Sequence, residues 1–155
     1  MQTSMDLRTL VGSGDKIALF TLPFLIVGVI LYAVHPSLFD VGGPPSVLRA
    51  ISVVVLIVGV TIWIWSVVLI LKEVPRGELI TTGPFSLVKH PIYTSVSLLV
   101  IPAIGFLLDT WLWAVIGIAM YIGSRIYAPA EEAALAETFG ARWDSYRTTV
   151  KIPWL

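Results

Sequence analysis

The chain has 155 residues, enough for one domain, and 57% of them are apolar while only 13% are charged, against about 25% charged residues in soluble domains. The formal net charge is zero, which excludes the basic surface that nucleic-acid binding requires. The sequence contains no cysteine, so disulfides, thiolate metal sites and a cysteine nucleophile are excluded as well.

Four apolar segments predict an all-α integral membrane protein. A hydrocarbon core of about 30 Å is crossed by a helix of about 20 apolar residues, and such segments occupy residues 17–34, 48–71, 92–108 and 111–128. A cleaved signal peptide is the alternative for the first segment, but its apolar run is too long and no small-residue cleavage site follows it. We therefore expect a single membrane domain, residues 1–155, with four transmembrane helices.

The connections between these segments predict how the helices are arranged. A loop rich in glycine and proline, residues 39–46, joins the first two segments. Only Asp109 and Thr110 separate the last two, so these must form a tight antiparallel hairpin. Pro102 lies inside the third segment and predicts a kink there, because it removes one backbone donor and crowds the preceding turn.

The distribution of lysine and arginine predicts the orientation in the membrane. Four spans return the chain to its starting side, and nine of the ten cations then lie on that side, with Arg49 alone opposite. Cytoplasmic loops carry the excess of positive charge. We therefore expect both termini and the middle loop, residues 72–90, to be cytoplasmic. His35 and His90 fall on opposite sides of the membrane, so no histidine metal site is expected.

The segment after the fourth span, residues 130–150, differs in kind from the spans. Its large apolar side chains recur at helical spacing and charged residues fill the positions between them. The apolar face consists of Leu135, Phe139, Trp143, Tyr146 and Val150. This pattern predicts a separate amphipathic helix at the cytoplasmic rim, with Gly140 as the position where it can break.

Polar groups gather at three places that the topology brings to this rim. They are the loop of residues 77–93, Arg125 near the end of the fourth span, and the pair Glu131-Glu132. The arms of the hairpin are of nearly equal length, so we expect His90 and Arg125 at the same depth. An ionisable residue at that depth is functional in many membrane proteins, while the alternative for Arg125 is contact with lipid phosphates.

The two glutamates and His90 each have a simple structural alternative. Adjacent residues in a helix point about 100° apart, so one glutamate can face a pocket while the other pairs with Arg125, Lys89 or solvent. Acids at a helix start, where they complement the macrodipole, are the alternative. The proline after His90 holds the histidine out of the α region, which favours ligand contact over packing.

The order of two motifs points to a known family. GPFSLVKHPIYTS, followed some 40 residues later by EEAALAETFGARWDSYRTTVKIP, resembles the isoprenylcysteine carboxyl methyltransferase family and its phospholipid N-methyltransferase relatives over about residues 75–155. The matching positions are Gly83-Pro84-Phe85, His90-Pro91, Tyr93, Glu131-Glu132, Leu135, Phe139-Gly140 and Tyr146. The sequence departs from the family pattern at Lys89 (arginine), Ser95 (glycine) and Trp143 (tyrosine). Lysine lacks the bidentate fork of arginine, and serine narrows close backbone approach.

The resemblance implies a membrane-embedded methyltransferase that binds S-adenosylmethionine at the cytoplasmic side and takes a lipid-like or prenylated acceptor from the bilayer. It implies catalytic roles for His90, Arg125 and Glu132, and substrate contacts for Trp143 and Tyr146. The cofactor's amino group suits a glutamate and its carboxylate suits a cation, while aromatic rings suit its sulfonium. The implied cofactor contacts are Gly83, Phe85, Lys89, His90, Pro91, Tyr93, Arg125, Glu131 and Glu132.

Several alternatives stay open at this stage. A carboxylate acceptor needs no base, whereas an amine must lose a proton, which His90 or a glutamate can take. An NADPH-dependent reductase of the sterol type would need cations for the 2′-phosphate, for which Lys89 and Arg76 are available. A non-catalytic member of the fold is the third reading. Gly12-Ser13-Gly14 is too short for a nucleotide-binding motif, and we interpret it as a flexible turn before the first helix.

Overall fold

A computed structural model describes residues 13–43 and 45–153, so that Arg8 and Gly12 lie outside the described residues. Within this part the chain forms helices and turns and no strand. The helices are α1 (Gly14–Val34), α2 (Pro36–Phe39), α3 (Ser46–Glu73), α4 (Pro91–Leu107), α5 (Leu112–Phe139) and α6 (Ala141–Thr149). Two 3₁₀ turns, Val74–Arg76 and Gly83–Ser86, lie in the connection from α3 to α4.

Three of the described helices, α1, α3 and α5, are long and apolar enough to cross a membrane. Their outward faces carry large apolar side chains, and only 11% of the most apolar stretch of α3 is buried inside the protein. Apolar side chains of this kind are stable in contact with lipid. The helical backbone suits the same environment, because its polar groups form hydrogen bonds within the helix. The prediction of an all-α protein with several membrane helices is confirmed.

Helix α4 is shorter than the other three and irregular. Its 17 residues span about 25 Å as a regular helix, somewhat less than a hydrocarbon core of about 30 Å. Residues Val96–Val100 are π-helical and lead directly into Pro102, whose missing N–H prevents the regular hydrogen-bond pattern. A local π-helix therefore precedes Pro102, and the kink predicted there remains a prediction.

The four helices α1, α3, α4 and α5 alternate in direction, and the far end of the bundle shows how their loops meet. The loop after α2 contacts the turn between α4 and α5, where the backbone N–H of Val41 donates to the carbonyl of Asp109 at 3.3 Å. The Asp109 carboxylate accepts from the backbone N–H of Gly43 at 3.1 Å. Helices α4 and α5 pack on each other at Gly105 and Gly117, so the hairpin predicted around Asp109 is confirmed.

The prediction of a fourth helix ending at residue 128, followed by a separate helix from residue 130, is wrong. Helix α5 continues through Pro129 to Phe139 and ends at Gly140. A proline inside a helix removes one hydrogen bond, and here the helix continues beyond it. Glu131 and Glu132 therefore lie inside a helix, and the interpretation that they begin one is wrong too. The break falls at Gly140, whose φ of +51° favours glycine.

Candidate functional site

A cavity of about 300 Å³ lies at the end of the bundle where α3, α4, α5 and α6 meet the loop of residues 77–90. This volume is at the lower end of the range for small-molecule sites. Apolar side chains from the end of α3, the loop and the end of α5 form most of its wall, namely Ile70, Val74, Leu79, Ile80, Leu135 and Phe139. Aromatic and ionisable side chains complete it, so a ligand with apolar and charged parts can be accommodated.

The two adjacent glutamates of α5 have different partners, as their angular separation on a helix predicts. Glu132 binds the ammonium of Lys89, whose Nζ lies 2.6 Å from Oε1 and 2.8 Å from Oε2. His90 completes this cluster, with Nε2 at 3.1 Å from Oε1 of Glu132. Glu131 instead lines the cavity. The predicted division between one pocket-facing and one paired glutamate is therefore present, with Glu131 on the cavity.

Glu131 is held by donors from two other segments, α4 and the residue before α1. The hydroxyl of Tyr93 in α4 donates to Oε2 of Glu131 at 3.3 Å. The backbone N–H of Ser13, immediately before α1, donates to the same oxygen at 3.4 Å. Three segments that are distant in sequence thus meet at one carboxylate on the cavity wall.

His90 is oriented by its neighbours on both sides. Its backbone lies outside the α region, at φ −124° and ψ 65°, as expected for a residue before proline. Its ring stacks on that of Tyr93 with centroids 5.8 Å apart and planes 22° apart. Pro91 is buried and lines the cavity beside them. The predicted contact residues Lys89, His90 and Tyr93 are therefore brought together.

Helix α6 closes one side of the cavity through two aromatic side chains. Trp143 and Tyr146 are buried, line the cavity and pack against Leu79, Leu135 and Phe139. The Tyr146 hydroxyl donates to the carbonyl of Phe85 at 2.7 Å. Burial raises the pKa of the Tyr146 phenol, and the Glu132 carboxylate raises it further. The phenol therefore stays protonated at neutral pH and remains a donor.

Gly83 and Phe85, both expected to contact a cofactor, have different positions. Phe85 lines the cavity. Gly83 does not; it begins the 3₁₀ turn with φ +60°, and a Cβ there would lie 3.0 Å from the indole of Trp65. Gly83 thus allows the loop to pack closely on α3 and supports the site without touching the cavity.

Arg125 lies apart from the cavity. Its side chain is on an exposed part of α5 and does not line the pocket. Arg125 precedes Glu132 by seven residues, which places it about 10 Å along the helix axis. The hairpin therefore does not bring Arg125 into the cavity beside His90, and we do not include it among the ligand contacts.

Two parts of the cavity wall were not singled out from the sequence. Gly14 lines the cavity beside Ser13, although the sequence indicated only a turn before the first helix. Ile70 contributes from the end of α3, and Val74 from the 3₁₀ turn that follows it. The sequence did contain a signal for this placement. Helix α1 crosses the bundle and α3 returns, so the start of α1 and the end of α3 lie at the same end as His90.

The helices and this cavity define the class of protein, a multi-pass helical membrane protein with a pocket where its ionisable residues gather. The model of the isoprenylcysteine carboxyl methyltransferase family matches residues 46–137, more than half of the chain, and the chain belongs to this family of membrane methyltransferases. No significant match was found among curated proteins or among solved structures.

The matched range differs from the range of the motif resemblance. It begins with α3, whereas the motifs were recognised from about residue 75, and it ends before Phe139, Trp143 and Tyr146. Lys89, His90, Tyr93 and both glutamates lie inside it. The ionisable residues of the site therefore belong to the family-matched segment. Helices α1 and α6, which lie outside that segment, complete the wall of the cavity.

Proposed function

We propose that the protein is an S-adenosylmethionine-dependent methyltransferase that acts on a lipid-like acceptor at the membrane surface. The observation that carries the proposal is the cavity within the family-matched segment, where the carboxylate of Glu131 faces a space walled by aromatic and apolar side chains. The site suits a ligand that carries positive charge next to an apolar acceptor.

The chemistry of the residues present fits S-adenosylmethionine. Glu131 on the cavity wall would bind the amino group, because a carboxylate and an ammonium form a strong charge-assisted hydrogen bond. Lys89 also lines the cavity and would contribute positive charge near the carboxylate of the cofactor. The faces of Phe85 and Tyr93 would attract the positive sulfonium.

The chain contributes positioning and exclusion of water to the reaction. S-adenosylmethionine, when bound, supplies a methyl group that is activated by the sulfonium. The apolar side chains of Ile70, Leu135 and Phe139 keep water from the cavity, and Trp143 covers it from the side of α6. Methyl transfer gains most of its rate from such alignment of the reacting atoms.

The family assignment favours a prenylcysteine-like carboxylate as the acceptor. A carboxylate is ionised at neutral pH and needs no base. An amine acceptor such as a phospholipid headgroup needs one, and His90, whose Nε2 lies 3.1 Å from Oε1 of Glu132, is the candidate base. A labelled-methyl assay on prenylated-cysteine analogues and on whole lipid extract distinguishes the two acceptors.

The reductase alternative loses its basis in the described residues. Lys89 lines the cavity, whereas Arg76 lies 3.7 Å from Glu73 and does not line it. The two cations therefore do not form a joint site for a 2′-phosphate.

A calorimetric titration of the detergent-purified protein tests the proposed function. We expect binding of S-adenosylhomocysteine, which has the amino acid and adenosine parts of the cofactor, and no binding of NADPH. Binding of NADPH alone would contradict the proposal in favour of a reductase, and binding of neither ligand would favour a non-catalytic protein.

The double variant Glu131→Gln and Glu132→Gln tests the assignment of the site. We expect S-adenosylhomocysteine affinity to fall by more than about tenfold, since a charged hydrogen bond and the Lys89 cluster are lost together. Glu137→Gln, an exposed acid on the same helix, is the control and should bind as the wild type does. Undiminished affinity in the double variant would contradict the site.

A further inference from the structure

Helix α1 lies outside the family-matched segment, yet its first residues reach the cavity. The match begins at residue 46, whereas Gly14 lines the cavity and Ser13 beside it is 4% exposed. A serine that is buried and contacts a glutamate of the cavity wall does more than connect two segments. The contacts of Ser13 therefore indicate that the start of the amino-terminal helix contributes to the site.

Ser13 holds the helical turn of Glu131 at two points. Its backbone N–H donates to Oε2 of Glu131 at 3.4 Å. Its hydroxyl donates to the carbonyl of Tyr127 at 2.9 Å, and Tyr127 is the residue one helical turn before Glu131. The hydroxyl thus attaches the start of α1 to the backbone of α5. The N–H holds the side chain of Glu131, which lies one turn further along α5.

Packing along the two helices fixes the position of Ser13. A Cβ at Gly28 would lie 2.7 Å from Ile116, and a Cβ at Gly123 would lie 2.7 Å from the ring of Phe20. These glycines allow α1 and α5 to approach closely. The ring of Phe20 also meets that of Tyr127 edge to face, with centroids 6.2 Å apart. Ser13 therefore lies at the end of a tightly packed interface.

The two described donors to Glu131 reach the same oxygen. Tyr93 and Ser13 both donate to Oε2, and among the described residues no hydrogen bond reaches Oε1. A carboxylate held through Oε2 is oriented in advance, and Oε1 is the oxygen that we assign to the ligand. Such preorganisation improves affinity because less conformational freedom is lost on binding.

We propose that Ser13 is a positioning residue for Glu131, orienting its carboxylate toward the cationic amino group of the bound cofactor. This inference rests on the proposed function for the identity of the ligand. Ser13 acts through Glu131, so removing its hydroxyl weakens only those ligands that use the Glu131 carboxylate. A purely structural role would weaken every ligand of the cavity alike.

A double-mutant cycle tests the proposal by calorimetric titration with S-adenosylhomocysteine. The four proteins are the wild type, Ser13→Ala, Glu131→Gln and the combination of both. We expect Ser13→Ala to lower the affinity by about three- to tenfold, the effect of one hydrogen bond. In the Glu131→Gln background the same change should have no further effect, because coupled residues are not additive. Equal losses in both backgrounds overturn the proposal.

A second ligand and a control variant separate positioning from folding. 5′-Methylthioadenosine lacks the amino acid part, so Ser13→Ala should bind it as the wild type does, which also shows that the variant is folded. Thr21→Val removes another buried hydroxyl of α1, which bonds within its own helix at 2.7 Å, and should leave both affinities unchanged. An equal loss in Thr21→Val overturns the role of Ser13.

The outcomes for the proposed function and for Ser13 are distinguishable. A wild-type chain that binds no S-adenosylhomocysteine overturns the proposed function, and the ligand-directed role of Ser13 with it. Normal binding by the wild type together with normal binding by Ser13→Ala overturns the role of Ser13 alone.

Discussion

At the scale of single residues, the site depends on how its ionisable side chains are paired. Lys89, His90 and Glu132 have side chains that are 15%, 10% and 24% exposed. Charged groups removed from water to this extent are stable only with partners of opposite charge or with hydrogen bonds. The Lys89 ammonium contacts both oxygens of Glu132.

The variant Lys89→Met should destabilise the protein, because it leaves the Glu132 carboxylate without its cation. We expect a loss of about 1.5–3 kcal/mol in the free energy of unfolding, the range for a hydrogen bond to a charged group. Equilibrium unfolding in mixed detergent micelles measures it. Lys89→Arg, which keeps the charge, should retain most of the stability.

Lys72→Met is the matched control for this change. Lys72 also pairs with a glutamate, Glu73 at 3.4 Å, but its side chain is 58% exposed. Exposed ion pairs contribute about 0–1 kcal/mol, so Lys72→Met should have little effect. Similar losses for the Lys72 and Lys89 variants would contradict the view that burial makes the Lys89 pair important for stability.

At the scale of secondary structure, the break between α5 and α6 shapes the cavity. The apolar face predicted for one helix is divided between two, with Leu135 and Phe139 on α5 and Trp143 and Tyr146 on α6. These side chains still form one cluster, because α6 turns back against the loop. An uninterrupted helix would carry Trp143 and Tyr146 away from Phe85.

Gly140→Ala should destabilise this turn through the backbone alone. Gly140 has φ +51° and ψ −125°, a conformation that costs other residues about 1–3 kcal/mol. A Cβ there would have no atom within 4 Å, so no clash contributes. We expect a lower melting temperature and weaker binding of S-adenosylhomocysteine, since Trp143 and Tyr146 line the cavity.

Thr138→Ala is the control for the break. Thr138 is exposed, and its hydroxyl donates to the carbonyl of Ala134 in its own helix at 2.8 Å. This variant should melt and bind as the wild type does. A Gly140→Ala variant indistinguishable from it would show that the turn tolerates an ordinary residue.

At the scale of the whole molecule, the alternating helices separate two ends of different chemistry. One end joins the loop around Asp40 to the turn at Asp109 through backbone contacts, including an isolated bridge between Asp40 and Thr110. The other end carries the cavity, Lys89 and the segment after α6, where the N–H of Ile152 donates to the carbonyl of Leu87 at 2.8 Å. We propose that the cavity end is cytoplasmic, as the cation count predicts.

Single cysteines test this orientation and the number of spans, because the natural sequence has no cysteine. Ser37→Cys and Lys151→Cys place exposed thiols at opposite ends of the bundle. A membrane-impermeant maleimide should label the first from outside intact cells and the second only after permeabilisation. Labelling of both from the same side would mean that the short helix α4 does not cross.

Some features of this protein are determined by the sequence itself. A membrane helix is encoded by the length of a local apolar run, so α1, α3 and the turn between α4 and α5 could be predicted to within a few residues. Lys89, His90 and Tyr93 lie within five positions of one motif, so their closeness in space could also be predicted from the sequence. The pairing of one glutamate and exposure of the other followed from helical geometry, although the sequence did not say which of the two faces the cavity.

Only the tertiary structure decided which residues meet. It assigned Glu131 to the cavity, kept Arg125 apart from it, and carried α5 through Pro129 to Gly140. It also joined Ser13 to Glu131 across 118 positions of sequence. These outcomes depend on the rotation and close packing of whole helices against one another. That packing arises from many small contacts between distant segments, and no local pattern in the chain records it.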